Sequence, residues 1–337
     1  MNPVPAQVDA SALLDPAAFQ AAVMERCQPV VLRGAARHWP IVSCGDVAAT
    51  MEQILAFDTG KDADLFVGKA EARGSYGHAD AELKTFNFAH QTMPFREALR
   101  RILDTADVPG HDTMYMGSLT SETYLPGAES LTPLPFVPPP VRPRFWIGHV
   151  SSIPCHYDTM DNVACVVAGR RRFTLYPPDA IRDLYVGPID NTMAGQPVSM
   201  AAGSAAPDPR YPRFEHARHR ALVADLEPGD AIYIPKLWWH QVEATGSVNI
   251  LVNFWWDGFA LGPDQPYTTM LLAMIAIAER PAAEREAWRA WFDHYVFRPE
   301  GHPLAFLDPP QRGILGPLRE GNYGRIRAMV MRLLRLA

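Results

Sequence analysis

What most constrains this chain is a pair of distant segments, Pro154-Cys155-His156-Tyr157-Asp158 and Trp238-Trp239-His240, both in strand-like surroundings. Successive side chains of a β-strand alternate faces, so His156 and Asp158 are expected to point the same way with Tyr157 opposed. An imidazole from a neighbouring strand, His240, would complete a set of three donors. Two His and one carboxylate on one side of an ion leave its other positions open, the ligand set of non-haem Fe(II) oxygenases. Only a sheet or barrel that sets these remote segments side by side can use them together.

Local context separates this pattern from chance. His78-Ala79-Asp80 has the same spacing but lies in Gly74-Ser75-Tyr76-Gly77-His78-Ala79-Asp80-Ala81-Glu82, without apolar alternation, and reads as a solvated loop. His156 and Asp158, in contrast, follow Phe145-Trp146-Ile147-Gly148-His149-Val150 and precede Val163-Ala164-Cys165-Val166-Val167, where two strands would meet. Downstream, Glu227-Pro228-Gly229-Asp230 is a turn signal. The strand Ala231-Ile232-Tyr233-Ile234 follows and Pro235 should end it. Alternation then puts His240 with Val242 on one face and Trp239 with Gln241 on the other.

Several ordered motifs together carry a resemblance. Pro154-Cys155-His156-Tyr157-Asp158, Gly169-Arg170-Arg171-Arg172-Phe173-Thr174-Leu175-Tyr176-Pro177-Pro178, Pro228-Gly229-Asp230-Ala231-Ile232-Tyr233-Ile234-Pro235, Trp238-Trp239-His240 and Val252-Asn253-Phe254-Trp255-Trp256 resemble the cupin-like JmjC oxygenases. Within that family the sequence is similar to the asparaginyl-hydroxylase type that modifies hypoxia-inducible factor, most strongly from Arg144 to Gly258. The resemblance implies a mainly β fold, a double-stranded β-helix of the cupin or jelly-roll kind. It also implies Fe(II) held by His156, Asp158 and His240, 2-oxoglutarate as cosubstrate, and hydroxylation with release of succinate and CO2.

Such chemistry needs a cation for the distal carboxylate of 2-oxoglutarate. In Arg170-Arg171-Arg172 the apolar Phe173 and Leu175 alternate with Thr174 and Tyr176, so the core face should be 171, 173 and 175, with Arg171 inward. The resemblance points to the same position, where the asparaginyl hydroxylases usually carry Lys; a planar fork here replaces a point charge. It further matches Asn162, Asn253 and Tyr115 to positions near the cosubstrate. The family Thr that touches the cosubstrate aligns with Ile153, so that hydroxyl contact is missing.

With 337 residues and 48% hydrophobic content the chain can bury a large core. A net charge of −6 argues against nonspecific nucleic-acid binding. Cys27, Cys44, Cys155 and Cys165 show no paired spacing for a zinc ribbon or disulfide framework, which suits a cytoplasmic location. The start Met1-Asn2-Pro3-Val4-Pro5 shows no signal-peptide pattern, and the apolar run from Met270 to Ala278 is too short to span a bilayer.

The expected organisation is an oxygenase domain over 1–262, with its barrel core at about 112–260 and α/β elements before it, and a helical extension over 263–337 that mediates a homodimer. Helices are expected at Ser11 to Cys27, Val47 to Phe57, Phe95 to Leu103, Thr268 to Arg280, Ala282 to Phe297 and Gly324 to Leu336, and a strand at Pro29 to Gly34. The Pro-rich connector Pro133 to Pro140 should be extended at the barrel's entrance. The insertion from Tyr185 to Ala221, with Pro197, Gly203, Pro207, Pro209 and Pro212, reads as a lid or as a surface excursion. His216 and His219 within it read as surface residues. Trp288 and Trp291 should pack within the helical region.

The expected activity is hydroxylation of a protein or peptide side chain. The alternatives are a hydroxylase of a small molecule or nucleoside, and a non-catalytic metal-binding cupin sensor. Histone demethylation is disfavoured because no chromatin-reading module accompanies the barrel.

Overall fold

A computed structural model describes residues 3–80, 82–193, 195–203 and 208–336. Its strands are β1 (Ala6–Asp9), β2 (Val30–Arg33), β3 (Asp62–Gly68), β4 (Phe88–Pro94), β5 (Thr113–Thr120), β6 (Pro143–Gly148), β7 (Ser151–His156), β8 (Asp161–Ala168), β9 (Arg171–Tyr176), β10 (Leu222–Leu226), β11 (Ala231–Ile234), β12 (Trp239–Ala244) and β13 (Asn249–Trp256). They form a nine-stranded sheet, ordered β1-β2-β11-β8-β13-β6-β5-β3-β4, and a four-stranded sheet, β10-β9-β12-β7. All pairings are antiparallel except β1 with β2. This is the jelly-roll architecture expected of the chain, with helices added.

Period-two alternation builds two cores from the same strands. On β8, which is buried along its whole length, Val163, Cys165 and Val167 join the core on the helix-covered side, whereas Ala164 and Val166 face the space between the sheets. On β13, Ile250, Val252 and Phe254 take the first role and Leu251 the second. Phe173, Leu175 and Val242 close the inner layer from the small sheet. Polar side chains in phase with these inner residues must therefore project into the barrel. Arg171, Asn162 and Asn253 are in phase.

The chain divides into two compact units, Met1–Gly258 and Phe259–Ala337, a few residues before the expected boundary at 262. The second unit contains helices Pro266–Ile277, Ala282–Phe292 and Asn322–Leu336, with a wide π-type turn at Asp293–Phe297 that ends the second helix before its expected limit. No helix among the described residues is long and apolar enough to cross a membrane.

Several expectations need correction. The first helix runs only over Pro16–Ala22, because Asp15 caps it and Pro16 takes the first helical position, where a missing N–H costs nothing. The Pro-rich connector is not an extended strand at the entrance. It turns back at Val137 and Val141, and Phe136 is driven into the main core, stacked on Phe19 at 4.9 Å. Trp288 and Trp291 lie 6.2 Å apart yet are exposed, 42% and 60%. Asp158 is not in a strand: β7 ends at His156, and the carboxylate stands in the connection to β8.

Candidate metal and cosubstrate site

His156 ends β7 and is the direct pairing partner of His240 on β12, with a register irregularity between His240 and Val242. Two remote segments are thereby placed ring to ring, with centroids 4.4 Å apart. Each Nδ1 lies against the carbonyl two residues upstream: His156 on Pro154 O at 2.8 Å and His240 on Trp238 O at 2.9 Å. A carbonyl only accepts, so both Nδ1 atoms carry the proton and both Nε2 atoms present lone pairs. His240 is buried, and desolvation, reinforced by the neighbouring His156, lowers its pKa to about 4; the carboxylate of Asp158 and the bond to Trp238 oppose the shift. The imidazole stays neutral at physiological pH, as a metal ligand must.

Asp158 is held although it lies outside the strand. Leu237 N–H donates to its main-chain carbonyl at 2.8 Å, from a backbone with φ +68°. Asn162 Nδ2 donates to its Oδ2 at 3.4 Å, and the same oxygen stands 3.7 Å from His240 Nε2. Behind this loop the buried Asp161 accepts from Tyr233 Oη at 2.9 Å and lies 3.4 Å from Lys236 Nζ. The connection carrying Asp158 is thus tied to the segment that leads into β12 and His240. Candidate donor atoms of His156, Asp158 and His240 all lie within 4.8 Å of one another, the one such group found among the described residues. One carboxylate oxygen and two imidazole nitrogens on one side of a point suit a divalent transition ion with open positions.

His78 and Asp80 form no such group. His78 lies against Phe86 at 5.0 Å, and Asp80 accepts from the Thr85 hydroxyl and from the main chain of Lys84 and Thr85, which lowers its carboxyl to about 2. Ala81 beside it lies outside the described residues.

An inner cavity is lined by His156, Asp158, Asn162, Arg171, His240 and Asn253, with Tyr115 and Ile153. Arg171 is 3% exposed, while Arg170 pairs with Glu227 at 3.0 Å and Arg172 with Asp225 at 2.7 Å on the outside. Among the described residues no carboxylate pairs with Arg171, and its buried Nε has no hydrogen-bond partner. Burial lowers the guanidinium's pKa while the nearby Tyr115 phenol opposes the shift; burial also raises the Tyr115 hydroxyl well above the phenol range. Asn162 Oδ1 is likewise buried and unpartnered, whereas Asn253 Oδ1 accepts from Trp146 Nε1 at 2.8 Å. A buried cation with unspent donors beside the three metal-type donors fits an anionic ligand that reaches from the ion to Arg171.

An adjoining cavity, the mouth of the site, lies beside His156 and Asp158 and is walled by aromatic rings: Phe66, Tyr76, Phe88, Tyr115, Trp146 and Trp255. Sequence reading missed most of these. Trp255 could have been found, since alternation places it in phase with Asn253 and Leu251. Met193, Gln196 and Val198 reach the mouth from the 185–221 insertion, and nothing in their sequence spacing announces it. The insertion folds back as a flap, with Gly187 N–H on Val198 O at 2.9 Å and Ser199 N–H on Cys155 O at 2.7 Å, next to His156. Asn191 donates to Leu83 O, joining the flap to the loop after Tyr76. Further along the insertion, His216 and His219 are exposed, as expected, and Pro207 lies outside the described residues.

The cupin-like domain family matches residues 16–261. The chain belongs to that family. Its relatives include the lysine-specific demethylase JMJ31 of Arabidopsis thaliana, 36% identical over 116 residues, covering 34% of this chain and 20% of that protein. HSPB1-associated protein 1 of Bos taurus is 32% identical over 165 residues, covering 47% and 32%. Jumonji C domain-containing protein 5 of Drosophila melanogaster is 24% identical over 261 residues, covering 74% and 59%. The cupin-like chain therefore spans a fifth to about three-fifths of these relatives. Relatives named for the Jumonji C domain place it among the JmjC-type cupins.

Proposed function

We propose that this chain is an Fe(II)- and 2-oxoglutarate-dependent oxygenase that hydroxylates a protein or peptide side chain. The observation that carries the reading is the buried Arg171 guanidinium, without a carboxylate partner among the described residues, in one cavity with His156, Asp158 and His240. His156, Asp158 and His240 would hold the iron, and Arg171 would receive the distal carboxylate of 2-oxoglutarate, with Tyr115 and Asn162 alongside. Bound iron and 2-oxoglutarate supply the oxidising chemistry; the residues of the chain bind, orient and shield. A non-catalytic sensor is disfavoured by this complete donor set with its own carboxylate receptor.

For the polypeptide substrate, the mouth offers a largely aromatic wall and, from the insertion, the neutral amide of Gln196, whose Oε1 is buried and lacks a donor. An uncharged side chain with an N–H to give, such as an amide, suits it and accords with the asparaginyl-hydroxylase resemblance. Small molecules and nucleosides are the alternative substrates. Homodimerisation through the second unit is supported by its exposed apolar side chains, among them Ile275 at 84% and Phe297 at 70%; a cytoplasmic location is supported by the four free cysteines.

The test is succinate formation from 2-oxoglutarate with added Fe(II), followed by parallel peptide and metabolite screens read by mass. Iron-dependent succinate release with a peptide gaining one oxygen is the expected result. Absence of any 2-oxoglutarate turnover in air, with iron loaded anaerobically beforehand, would overturn the oxygenase reading, and turnover coupled only to metabolites would overturn the polypeptide reading.

A further inference from the structure

We infer that a groove on the rim of the mouth, centred on Arg144 and Trp255, binds an acidic side chain of the substrate next to the residue that enters the mouth. This rests on the polypeptide-substrate reading. The Trp255 ring is shared by the inner cavity, the mouth and this third groove, whose other walls include Thr120, Glu122, Pro140, Arg142 and Arg144. A chain delivering one side chain past Trp255 into the mouth must therefore lay its neighbours along the groove.

Arg144 is held there in a defined pose. Its guanidinium lies over the Trp255 ring, 5.1 Å from the centroid, and Nη1 donates to Ser118 Oγ at 2.8 Å. Ser118 is aimed by a local distortion: β5 loses register between Met116 and Leu119, and Ser118 adopts φ +55°, a left-handed backbone that non-glycine residues take at a cost. The preceding Gly117 lies so close to the Trp146 ring that an added Cβ would stand 3.1 Å from it. A bulge and a strained residue at the lip of a cavity thus orient one cation.

Among the described residues no ion pair compensates the charge on that cation. Arg142, its neighbour, faces Glu129 at 3.7 Å and Glu122 at 4.0 Å, whereas among the described residues no carboxylate pairs with Arg144. The Nε1–H of Trp255 beneath it is buried and also has no acceptor. A planar fork stacked on an indole is pre-organised for a carboxylate and discriminates against an ammonium. Glu122 lines the same groove with its charge directed to Arg142, which reinforces rejection of substrates bearing a second acidic residue on that side.

The probe is a positional-scanning library of short peptides carrying Asp, Ala or Lys at each position around a variable central residue, with oxygen incorporation read by mass. Wild-type protein is expected to prefer Asp over Lys at one flanking position by roughly 10- to 100-fold in kcat/KM, the range of a charge-assisted bond. Arg144→Glu should invert that preference to Lys, and Arg144→Gln should flatten it; the latter keeps an N–H for Ser118 and covers the case in which the charge reversal does not fold. Calorimetric binding of the preferred acidic peptide to metal-free protein should weaken in the same order and fall with added salt. A library modified without regard to flanking charge, or an Arg144→Glu variant that still selects Asp, overturns the assignment. A library left wholly unmodified while a metabolite is hydroxylated overturns the polypeptide reading and this site with it.

Discussion

His156 and His240 stand directly opposite one another on β7 and β12, and each gives its Nδ1–H to the carbonyl two residues before it. The two hydrogen bonds repeat one local device on paired strands, and they commit both rings to the tautomer that leaves Nε2 free. An ion placed between them needs no ring to reorient, which is the benefit of locking ligands before the metal arrives.

Removing one of these rings should therefore remove the metal. His240→Ala is expected to weaken Fe(II) or Co(II) binding by more than the roughly 10- to 100-fold that loss of an outer hydrogen-bond partner costs. Titration of the apo protein with Co(II), followed by its visible spectrum, reads this directly. Wild-type stoichiometry of one ion per chain in that variant would sink the ligand assignment. Zn2+ should compete at the same site and abolish turnover, since its affinity for such donors exceeds that of Fe(II) and it supports no redox step.

Arg171 should trade stability for binding. A buried guanidinium with no carboxylate partner among the described residues is costly, so Arg171→Met is expected to raise the melting temperature of the cosubstrate-free protein by about 2 to 4 °C for each kcal/mol recovered. The same change should weaken 2-oxoglutarate binding by roughly 30- to 150-fold, equivalent to about 2 to 3 kcal/mol. Scanning calorimetry and isothermal titration on one sample decide both. A variant that binds 2-oxoglutarate normally, with Arg170→Ala or Arg172→Ala impaired instead, would show the carboxylate lies elsewhere.

The flap should govern the primary substrate more than the cosubstrate. Gln196→Ala removes a buried amide from the mouth, and apparent affinity for the primary substrate is expected to fall by about tenfold, a loss near 1.4 kcal/mol. Steady-state kinetics with each substrate varied separately will tell. If the variant saturates with the primary substrate as the wild type does, and only its response to the cosubstrate changes, the flap's assigned position is contradicted.

Gly148→Ala tests how tightly β6 is fitted beside the site. An added Cβ there would stand 2.5 Å from Met114 O and 2.9 Å from Tyr115 Cα, both backbone atoms that cannot swing away. Overpacking of this kind should cost about 1 to 3 kcal/mol in urea unfolding and shift Tyr115 with it. Unchanged stability would mean the strands separate more easily than the packing implies.

Truncation before Gly324 should shift the molecular mass toward monomer if the exposed apolar residues of the second unit, such as Leu333 at 57% and Leu334 at 52%, bury against a second copy. Light scattering at micromolar concentration measures it. A monodisperse monomer for the full chain would end the dimer proposal.

What the sequence determined by itself is what period-two alternation and fixed spacing encode. The inward phase of Arg171 with Phe173 and Leu175 is a local pattern whose direction is set within a few residues, whereas the jelly-roll class and the joining of a His-x-Asp segment to a distant His were implied by the resemblance of several ordered motifs. Alternation failed only where the strand stopped: Asp158 reaches the site from a connection, held by Leu237, Asn162 and the Asp161 cluster behind it. Tertiary structure alone decided the rest. That Gln196 and Met193 join the mouth, that Phe136 leaves the proline-rich connector for the core, and that Arg144 has no carboxylate partner among the described residues depend on where loops return and on which charges pair across the fold. Those choices are made by packing and long-range hydrogen bonding, which leave no period in the chain to read.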